Sequence, residues 1–388
     1  MRQFSGLAVA IALMTSSALA APPPLSQTVL TWTPEQQAWG YRHMEDAFPV
    51  KVAAKGDYVR ALPVGKRQID PKWTWGGKAQ TIASYMAAHN TSGLLVLKDG
   101  KIVLERYGLG RKPTERWTSF SVAKSVTSTL VGAAIADGKI KSLDDKVSAD
   151  LPDLRGSAYD DVTIRQLITM TSGVKWNEDY SDPNSDVAQV GLATAEPGVN
   201  PTVAYMRKLP RATPPGSKFV YDTGETDLTG ILVSTAVGKP LSTYLSEKIW
   251  KPFGMEQDAL WMTDPGGHER GGCCLSVTLR DYARFGQFLL EDGVARGKQI
   301  TPKDWVADAS AYHVKFGSEV EPPELGYGYF LWLMPGAFAA EGIFGQQIFV
   351  FPKEHIVIAV NSAWAEADND KDWAAQHAMA EAVRKALK

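Results

Sequence analysis

Ser121 and Lys124 stand three residues apart at the start of a stretch with helical hydrophobic spacing. On a helix this spacing puts both side chains on one face, one above the other. A serine hydroxyl is a weak nucleophile until a base takes its proton. A lysine can be that base if burial or a neighbouring cation lowers its pKa toward neutrality. The pair therefore predicts a nucleophile and its base, although a helix with a solvated lysine would carry the same pattern.

The helix that would carry this pair is well defined. Its hydrophobic positions recur every three or four residues, and a glycine follows as a stop signal; these residues are Val122, Ala123, Val126, Leu130, Ala134 and Gly138. Because the amino end of a helix favours negative charge, the first turn also suits the charge that develops near Ser121 during attack.

The elements around this helix divide between the ends and the middle of the chain. Strands are predicted at 92–98 and 101–107 around the turn Asp99-Gly100, and again at 327–333, 343–351 and 355–361. Helices are predicted between these strand regions and at both termini; their bounds are 34–48, 80–89, 164–170, 203–209, 226–237, 240–252, 279–292, 302–309 and 372–388. Residues 49–80 are predicted to be irregular, and residues 174–200 to form a long functional loop or lid.

This order predicts an α+β fold, in which an antiparallel sheet built from both chain ends is flanked by helices and carries a mostly helical inserted subdomain. The sheet part would cover about 33–110 and 325–388, and the helical part about 120–310. We expect the functional site where the two parts meet.

Composition excludes several classes of function. The chain has 388 residues, of which 44% are hydrophobic, and a net charge of -2. It can bury one large core or two closely packed ones. A charge so close to zero gives no electrostatic reason to bind nucleic acid or an anionic membrane. The residues show no spacing typical of metal ligands, and no oligomeric state is indicated.

Residues 1–20 have the pattern of a secretory signal peptide. Arg2 precedes an apolar run at residues 7–14, and Ala18-Leu19-Ala20 is a small-x-small cleavage site. The run is too short to span a bilayer. The sequence therefore predicts an exported protein, periplasmic or secreted, whose mature domain is 21–388 and does not stay inserted in a membrane; the alternative is an uncleaved anchor.

The two cysteines, Cys273 and Cys274, are adjacent. Export would bring them into an oxidising compartment, where a vicinal disulfide could form. The alternative is a pair of small buried residues at a tight turn after Gly271-Gly272.

Three motifs together resemble the serine β-lactamase and penicillin-binding-protein family. They are Ser121-Val-Ala-Lys124, then Tyr221-Asp-Thr223 after Pro215-Gly216, and Ala340-Glu-Gly342-Ile343, for which 343–345 is an alternative register. Three segments have sequences most similar to the 6-aminohexanoate-dimer hydrolase and carboxylesterase branch of that family. They are residues 34–49, 177–183 and 221–226.

The resemblance implies an acyl-enzyme mechanism that requires no cofactor. Ser121 would attack an acyl carbon, and Lys124 and Tyr221 would share the proton transfers, with the identity of the base left open. The backbone N–H groups of Ser121 and Ile343 would hold the oxyanion. A Ser-His-Asp hydrolase is disfavoured because the sequence has no Gly-x-Ser-x-Gly elbow.

Further residues are candidates for substrate contact. Thr223, Gly342 and Phe344 are candidates for substrate binding. Thr223 could instead cap the following helix, and Phe344, near the expected mouth of the cleft, could instead be a core residue. Tyr180 and Asp182 lie on the predicted lid and could meet the amide or amine end of a substrate; the alternative is a solvated loop.

Two departures from the family pattern narrow the substrate class. Thr223 replaces the usual asparagine, and Ala340 replaces a lysine that meets the substrate carboxylate in penicillin-recognising enzymes. Without that charge-assisted partner, small carboxylic esters or linear amides are the predicted substrates. A D,D-peptidase or β-lactamase, or a non-catalytic homologue of the same fold, remains the alternative.

Overall fold

Strands from the two ends of the chain lie side by side in this protein. The computed structural model describes residues 22–26, 28–194, 196–314 and 326–388. Numbered along the chain, its strands are β1 (Val50–Ala53), β2 (Lys72–Trp75), β3 (Lys78–Thr81), β4 (Thr91–Lys98), β5 (Lys101–Tyr107), β6 (Arg116–Thr118), β7 (Ala259–Met262), β8 (Leu275–Thr278), β9 (Val294–Ala295), β10 (Lys298–Gln299), β11 (Gly326–Tyr327), β12 (Trp332–Met334), β13 (Ala337–Gly342), β14 (Gln346–Phe351) and β15 (Ile356–Ser362).

Helices cover both faces of the sheet and fill the middle of the chain. They are α1 (Pro34–Gly40), α2 (Ile82–Ala88), α3 (Val122–Ala136), α4 (Val147–Asp150), α5 (Ile164–Ile168), α6 (Asp186–Val190), α7 (Pro201–Met206), α8 (Thr223–Val237), α9 (Leu241–Leu245), α10 (Lys251–Phe253), α11 (Leu279–Leu290), α12 (Trp305–Ala309) and α13 (Asp370–Ala386). Short 3-10 turns lie at Val29–Thr31, Met44–Asp46 and Pro152–Leu154, and Ser246–Trp250 is a π-helical segment.

Among the described residues, seven strands form the central antiparallel sheet, in the order β11-β12-β13-β14-β15-β4-β5. β15, near the carboxyl end, pairs with β4 from the first third of the chain, so that Ile358 lies opposite Val96. The predicted α+β fold with a sheet built from both chain ends is thus confirmed.

Alternate residues of the central strands face two separate cores, as the period of two in a strand requires. On β4, Leu95 and Leu97 pack with α3 and α11, whereas Leu94 and Val96 pack with α2 and α13. Helices therefore cover both faces of the sheet.

α3 lies at the centre of the helical part. Residues 122–134 of this helix are all buried, so it presents no broad polar face to solvent. It packs against α8, and Gly138, with φ 68°, ends the helical stretch as predicted. The helix that follows Ser121 is therefore surrounded by protein.

A smaller sheet, in the order β1-β7-β8-β6, was not predicted. Its strand β1 lies in residues 49–80, which were wrongly predicted to be irregular; β2 and β3 form a hairpin in the same segment. β1 gains its hydrogen-bonding partner from β7, more than 200 residues away, and local sequence carries no signal for such a pairing.

Several predicted element bounds were wrong for local reasons. Helix α1 ends at Gly40, not near residue 48: the N–H of Arg42 donates to the carbonyl of Trp39, three residues back, and the chain turns before the separate 3-10 turn at Met44–Asp46. The strand predicted at 327–333 is broken by a turn at Phe330, which has φ 55°. The strand predicted at 343–351 begins only at Gln346, because residues 343–345 form the turn after β13.

Two predictions concern segments that lie wholly or partly outside the described residues. The predicted signal peptide, residues 1–20, lies outside the described residues. The predicted lid contains the short helix α6, and Ala195 within it is not described. In the part of the chain that the structure describes, no helix has the length and apolar character that a membrane crossing needs.

Candidate active site

Ser121 lies at a sharp turn between β6 and α3. The preceding residue, Phe120, has φ 42°, a backbone conformation that is uncommon for a bulky residue and that clusters at functional sites. The turn is held from outside by Cys274, whose N–H donates to the carbonyl of Phe120 at 3.2 Å. Although Ser121 occupies the N-cap position of α3, its side chain makes no capping hydrogen bond. Its hydroxyl is therefore not committed to the helix.

Lys124 is buried, with 2% of its surface exposed, and its ammonium nitrogen has three acceptors. Nζ donates to Ser121 Oγ at 2.9 Å, to Thr223 Oγ1 at 2.9 Å and to the carbonyl of Gly272 at 2.8 Å. Burial lowers the pKa of Lys124 to about 8, while the carboxylates of Glu178 and Asp227 oppose this shift. The geometry suits a lysine that loses its proton near neutral pH.

Tyr221 stands on the other side of the nucleophile. Its side chain lies near Ser121, and Nζ of Lys124 lies 5.1 Å from its ring centroid. Burial, followed by the negative charge of Glu178, raises the pKa of Tyr221 well above its usual value. The three residues predicted to carry the chemistry are therefore in contact.

Thr223 belongs to the same network. The N-cap of α8 is Asp222, which accepts a hydrogen bond from the N–H of Glu225 at 2.9 Å, so Thr223 does not cap the helix. The Thr223 hydroxyl accepts from Lys124 and donates to the carboxylate of Glu178. With both contacts made inside the protein, this hydroxyl acts on the lysine rather than on a substrate.

The loop that supplies the Gly272 carbonyl was not foreseen as part of the site. α8 holds it through Asp227, which accepts from the N–H of Gly272 at 2.8 Å and pairs with Arg270 at 2.9 Å. α3 holds it through Thr127, whose hydroxyl donates to the carbonyl of Gly271 at 2.7 Å. The sequence offered a signal in retrospect, since Asp227 lies one helical turn after Thr223 on the same face.

The structure pairs Cys273 with Cys274 as a vicinal disulfide, one of the two alternatives raised by the sequence. The pair directly follows Gly272 and precedes β8, and Cys274 has φ 69°. It therefore lies in the loop that contacts both the nucleophile turn and the lysine.

The end of β13 lies against the nucleophile turn. A Cβ atom built on Gly342 would lie 2.9 Å from the backbone nitrogen of Ser121 and 2.5 Å from the carbonyl oxygen of Ser119. Only glycine allows this close approach of two backbones. The approach brings Ile343 next to the nucleophile and supports the register Ala340-Glu-Gly342, since Gly345 packs on Trp364 instead.

Phe344, a predicted substrate contact, is one of the residues that line the cleft, and it also packs against the nucleophile turn. It is 2% exposed, and its ring centroid lies 5.2 Å from that of Phe120 and 5.9 Å from that of Tyr41. This aromatic cluster also includes Trp117 and supports the nucleophile turn from below.

The two predicted lid residues have different positions. Tyr180 lines the cleft beside Tyr221, and its hydroxyl donates to Glu178 at 3.0 Å. Asp182 is not among the residues that line the cleft; its carboxylate accepts from the N–H of Asn184 at 2.8 Å and orders a local turn. For Asp182 the structure therefore supports the alternative of a loop residue.

Glu178 is a further site residue that the sequence interpretation missed. It lies in the 177–183 segment that resembles the family, yet no role was assigned to it. Its carboxylate receives hydrogen bonds from Thr223, Tyr180 and the indole of Trp176.

The cleft above these residues has a volume of about 1030 Å³. Tyr221, Trp332, Gly342 and Ile343 line it, and the Trp332 ring stacks on Tyr221 with centroids 5.6 Å apart. Its charged lining is acidic, and none of the described lining residues is lysine or arginine; the acids are Glu178, Asp179, Glu341, Glu366, Asp368 and Asp370.

Known proteins share this architecture. The 6-aminohexanoate-dimer hydrolase of Paenarthrobacter ureafaciens is 30% identical over 292 residues, which are 72% of this chain and 74% of that enzyme. A structure from Bacillus anthracis that bears the provisional name 6-aminohexanoate-dimer hydrolase superposes with a TM-score of 0.78 at 25% identity, over 94% of this chain and 98% of that one. The octameric penicillin-binding protein homologue from Pyrococcus abyssi shares the fold, with a TM-score of 0.59 at 21% identity over 79% of this chain and 76% of that one. The model of the Beta-lactamase family matches residues 79–381, so the chain belongs to the β-lactamase family.

Proposed function

We propose that this protein is a serine hydrolase that cleaves carboxylic esters and linear amides through an acyl-enzyme on Ser121. The observation that carries the proposal is the contact of Ser121 Oγ with Lys124 Nζ at 2.9 Å, with Tyr221 beside the pair, its ring centroid 5.1 Å from Nζ. A serine so placed has a base to activate it and an acid to protonate what it displaces. The relatives named as 6-aminohexanoate-dimer hydrolases support the choice of substrate class.

In the proposed mechanism, Lys124 is the base of the first step. Burial lowers its pKa to about 8, whereas burial raises the pKa of Tyr221, so the lysine is the group that is more readily deprotonated near neutral pH. Neutral Lys124 takes the hydroxyl proton of Ser121, and the serine oxygen forms a bond with the acyl carbon. The Tyr221 hydroxyl then gives a proton to the leaving alcohol or amine as its bond to carbon breaks.

Backbone donors would stabilise the charge that develops on the acyl oxygen. The N–H groups of Ser121 and Ile343 are assigned this role because Gly342 packs against the nucleophile turn. Each such donor typically contributes about 3 kcal/mol to lowering the barrier. Water then gives a proton to the oxygen of Tyr221 as its own oxygen attacks the acyl carbon. The bond from that carbon to Ser121 Oγ breaks, Lys124 returns its proton to Oγ, and the carboxylic acid product leaves.

The charge of the cleft favours esters and open-chain amides over β-lactams. Ala340 is 1% exposed and supplies no cation at the strand beside the nucleophile. Six carboxylates line the cleft with no lysine or arginine among the described lining residues, so an anionic substrate meets unfavourable potential. A substrate with a neutral or cationic acyl chain suits this lining better.

The test compares the mature wild type with Ser121→Ala on a p-nitrophenyl short-chain ester, the linear 6-aminohexanoate dimer and nitrocefin. We expect clear ester turnover, weaker amide turnover, little nitrocefin turnover, and a loss of about 10³-fold or more in the variant. A fluorophosphonate probe should label the wild type and not the variant. Dominant nitrocefin hydrolysis would favour a penicillin-recognising enzyme, and an unlabelled, inactive wild type would favour a non-catalytic homologue.

We also propose that the protein is exported and loses residues 1–20. The support is the arrangement of Arg2, the apolar run at 7–14 and the small residues before Ala21. Sequencing the amino terminus of protein recovered from the periplasm or medium should begin at Ala21. Full-length protein confined to the cytoplasm would contradict export.

A further inference from the structure

The carboxylate of Glu178 is held by four hydrogen-bond donors. Its Oε2 accepts from the backbone N–H of Thr223 at 3.1 Å and from the indole N–H of Trp176. Its Oε1 accepts from the hydroxyl of Tyr180 at 3.0 Å and from the hydroxyl of Thr223. Because an ionised carboxylate only accepts, these four bonds suit the charged form and fix its position.

This carboxylate determines which way the Thr223 hydroxyl points. A threonine hydroxyl has one proton, and the Thr223 hydroxyl uses it to donate a hydrogen bond to the carboxylate of Glu178. The remaining lone pairs of the hydroxyl oxygen can only accept, and Lys124 Nζ lies 2.9 Å away. Lys124 must therefore donate to Thr223 rather than accept from it.

The consequence appears when Lys124 is neutral. A neutral amine has two N–H groups and one lone pair. The carbonyl of Gly272 accepts one N–H at 2.8 Å, and the Thr223 hydroxyl accepts the other. The third direction, toward Ser121 Oγ at 2.9 Å, is left for the lone pair. This is the arrangement that a general base needs.

We propose that Glu178 is a positioning residue which, through the Thr223 hydroxyl, directs the lone pair of Lys124 at Ser121 and sets the pH range in which that lysine acts as a base. The inference rests on the proposed function, since it assigns Lys124 the role of base. Glu178 touches none of the reacting atoms; it acts through Thr223.

The charge of Glu178 has an effect that can be separated from its packing. The charged groups that act on Lys124 are Glu178, Asp227 and Asp222, which favour the ammonium, and Arg270, which opposes it. Tyr221 also faces the lysine and stays protonated near neutral pH because burial raises its pKa. Removing the negative charge of Glu178 should therefore lower the pKa of Lys124 further below its value of about 8.

The experiment measures kcat/KM for a p-nitrophenyl ester from pH 5 to pH 10 in the wild type and in Glu178→Gln. We expect the alkaline plateau to fall about 10- to 100-fold, because the Thr223 hydroxyl loses its fixed direction. We also expect the rising limb to move to lower pH by about half a unit or more, because a nearby negative charge is gone. If Glu178 served only in packing, the substitution would lower the plateau of the kcat/KM profile without moving its rising limb to another pH.

Thr223 variants test the connection between the two side chains. Thr223→Ser keeps the hydroxyl and should retain activity within about threefold, while Thr223→Val should lose about as much as Glu178→Gln. The double variant Glu178→Gln with Thr223→Val should be no worse than Thr223→Val alone, since both act on the same hydrogen bond. Asp182→Asn is the matched control, because it removes a carboxylate from the same loop without contact with the lysine, and it should leave both limb and plateau unchanged.

The outcomes separate this inference from the proposed function. A wild type no more active than Ser121→Ala would overturn the function itself. An active wild type with an unmoved limb in Glu178→Gln would overturn only the role of Glu178, whether or not the plateau falls. If Glu178→Gln does not fold, Thr223→Val decides, since full activity in that variant would contradict the relay through the hydroxyl.

Discussion

Lys124 Nζ and Ser121 Oγ lie 2.9 Å apart in a part of the protein where both side chains are more than nine-tenths buried. The burial that lowers the pKa of Lys124, and so suits it to act as a base, also destabilises the folded state. An ammonium group in a protein interior loses its hydration, and only part of that loss is offset by its hydrogen bonds. The first prediction follows from this conflict.

Stability should rise with pH through the range in which Lys124 loses its proton. The pKa of this lysine is about 8 in the folded protein and 10.5 in its ordinary state. Between these values the unfolded chain binds a proton that the native state does not, so the free energy of unfolding rises with pH. The buried ammonium of Lys124 lowers the free energy of unfolding by about 3 kcal/mol, and this loss is fully present below about pH 8. Lys124→Met should therefore gain stability relative to wild type at pH 7, and this gain should fade toward pH 10.5.

Denaturant unfolding of both proteins at pH 7 and pH 10 measures this effect. Lys141→Met, which removes an exposed lysine, is the control and should show no such dependence. If the free energies of unfolding of Lys124→Met and wild type differ by the same amount at both pH values, the assigned cost of burying the charged lysine is contradicted. The variant should also lose about 10³-fold or more in kcat/KM, because it has no base.

Tyr221→Phe should affect amides more than activated esters. The substitution keeps the ring that stacks on Trp332 but removes the hydroxyl that is proposed to protonate the leaving group. An amine leaves only when protonated, whereas p-nitrophenolate leaves without a proton. We expect kcat to fall about 10²- to 10³-fold for the 6-aminohexanoate dimer and clearly less for a p-nitrophenyl ester.

The control for this prediction is Tyr327→Phe, which removes a hydroxyl from a buried ring 6.4 Å from that of Tyr221. It should leave the ratio of amide to ester rates unchanged. Equal losses on both substrates in Tyr221→Phe would argue that Tyr221 positions Ser121 and does not protonate the leaving group.

Gly342→Ala should damage catalysis as well as stability. The new methyl group would lie 2.5 Å from the carbonyl oxygen of Ser119 and 2.9 Å from the nitrogen of Ser121, so the strand and the nucleophile turn must separate. Moving an oxyanion donor out of place typically lowers kcat by about 10²- to 10³-fold. The measurement is kcat per labelled active site, together with the melting temperature.

Gly286→Ala, on helix α11, is a matched control. Its methyl group would lie 2.5 Å from a side-chain carbon of Val357, a comparable crowding at a distance from the site. It should lower the melting temperature and leave kcat per folded molecule near the wild-type value. If Gly342→Ala behaved in the same way, its neighbour Ile343 would not supply an oxyanion donor.

Charge selection by the cleft can be tested with two esters of equal chain length. The p-nitrophenyl ester of 6-aminohexanoic acid carries a cation at the end of its acyl chain, and the mono-p-nitrophenyl ester of adipic acid carries an anion. Because the charged residues that line the cleft are acidic, the cationic ester should have a kcat/KM about tenfold higher or more at low salt. The ratio should shrink as ionic strength rises.

Glu341→Gln should reduce that ratio further, since Glu341 lies on the cleft wall one residue before Gly342. The neutral p-nitrophenyl acetate serves as the reference substrate. Equal rates for the two charged esters at low salt would contradict the proposed selection by charge.

Much of the local structure was determined by short-range sequence signals. Thr33 and Gln36 form a capping box at the start of α1, a pattern of residues three positions apart that marks a helix start in the sequence itself. Asp99 and Gly100 both adopt positive φ in the turn between β4 and β5, as an Asp-Gly hairpin requires. The hydrophobic spacing after Ser121 likewise predicted α3. These features depend on residues within a few positions of each other, so the sequence alone was sufficient.

The tertiary structure decided what the site can do. The carbonyl of Gly272 that holds Lys124 lies 148 residues away in the chain, and the carboxylate of Glu178 reaches Thr223 across 45 residues. Both contacts join residues that are far apart in the chain. The Ser-x-x-Lys motif determined which groups stand on one helix face, but burial and distant charges determine the pKa of the lysine. Desolvation depends on every element packed around a group, and only the folded chain brings those elements together.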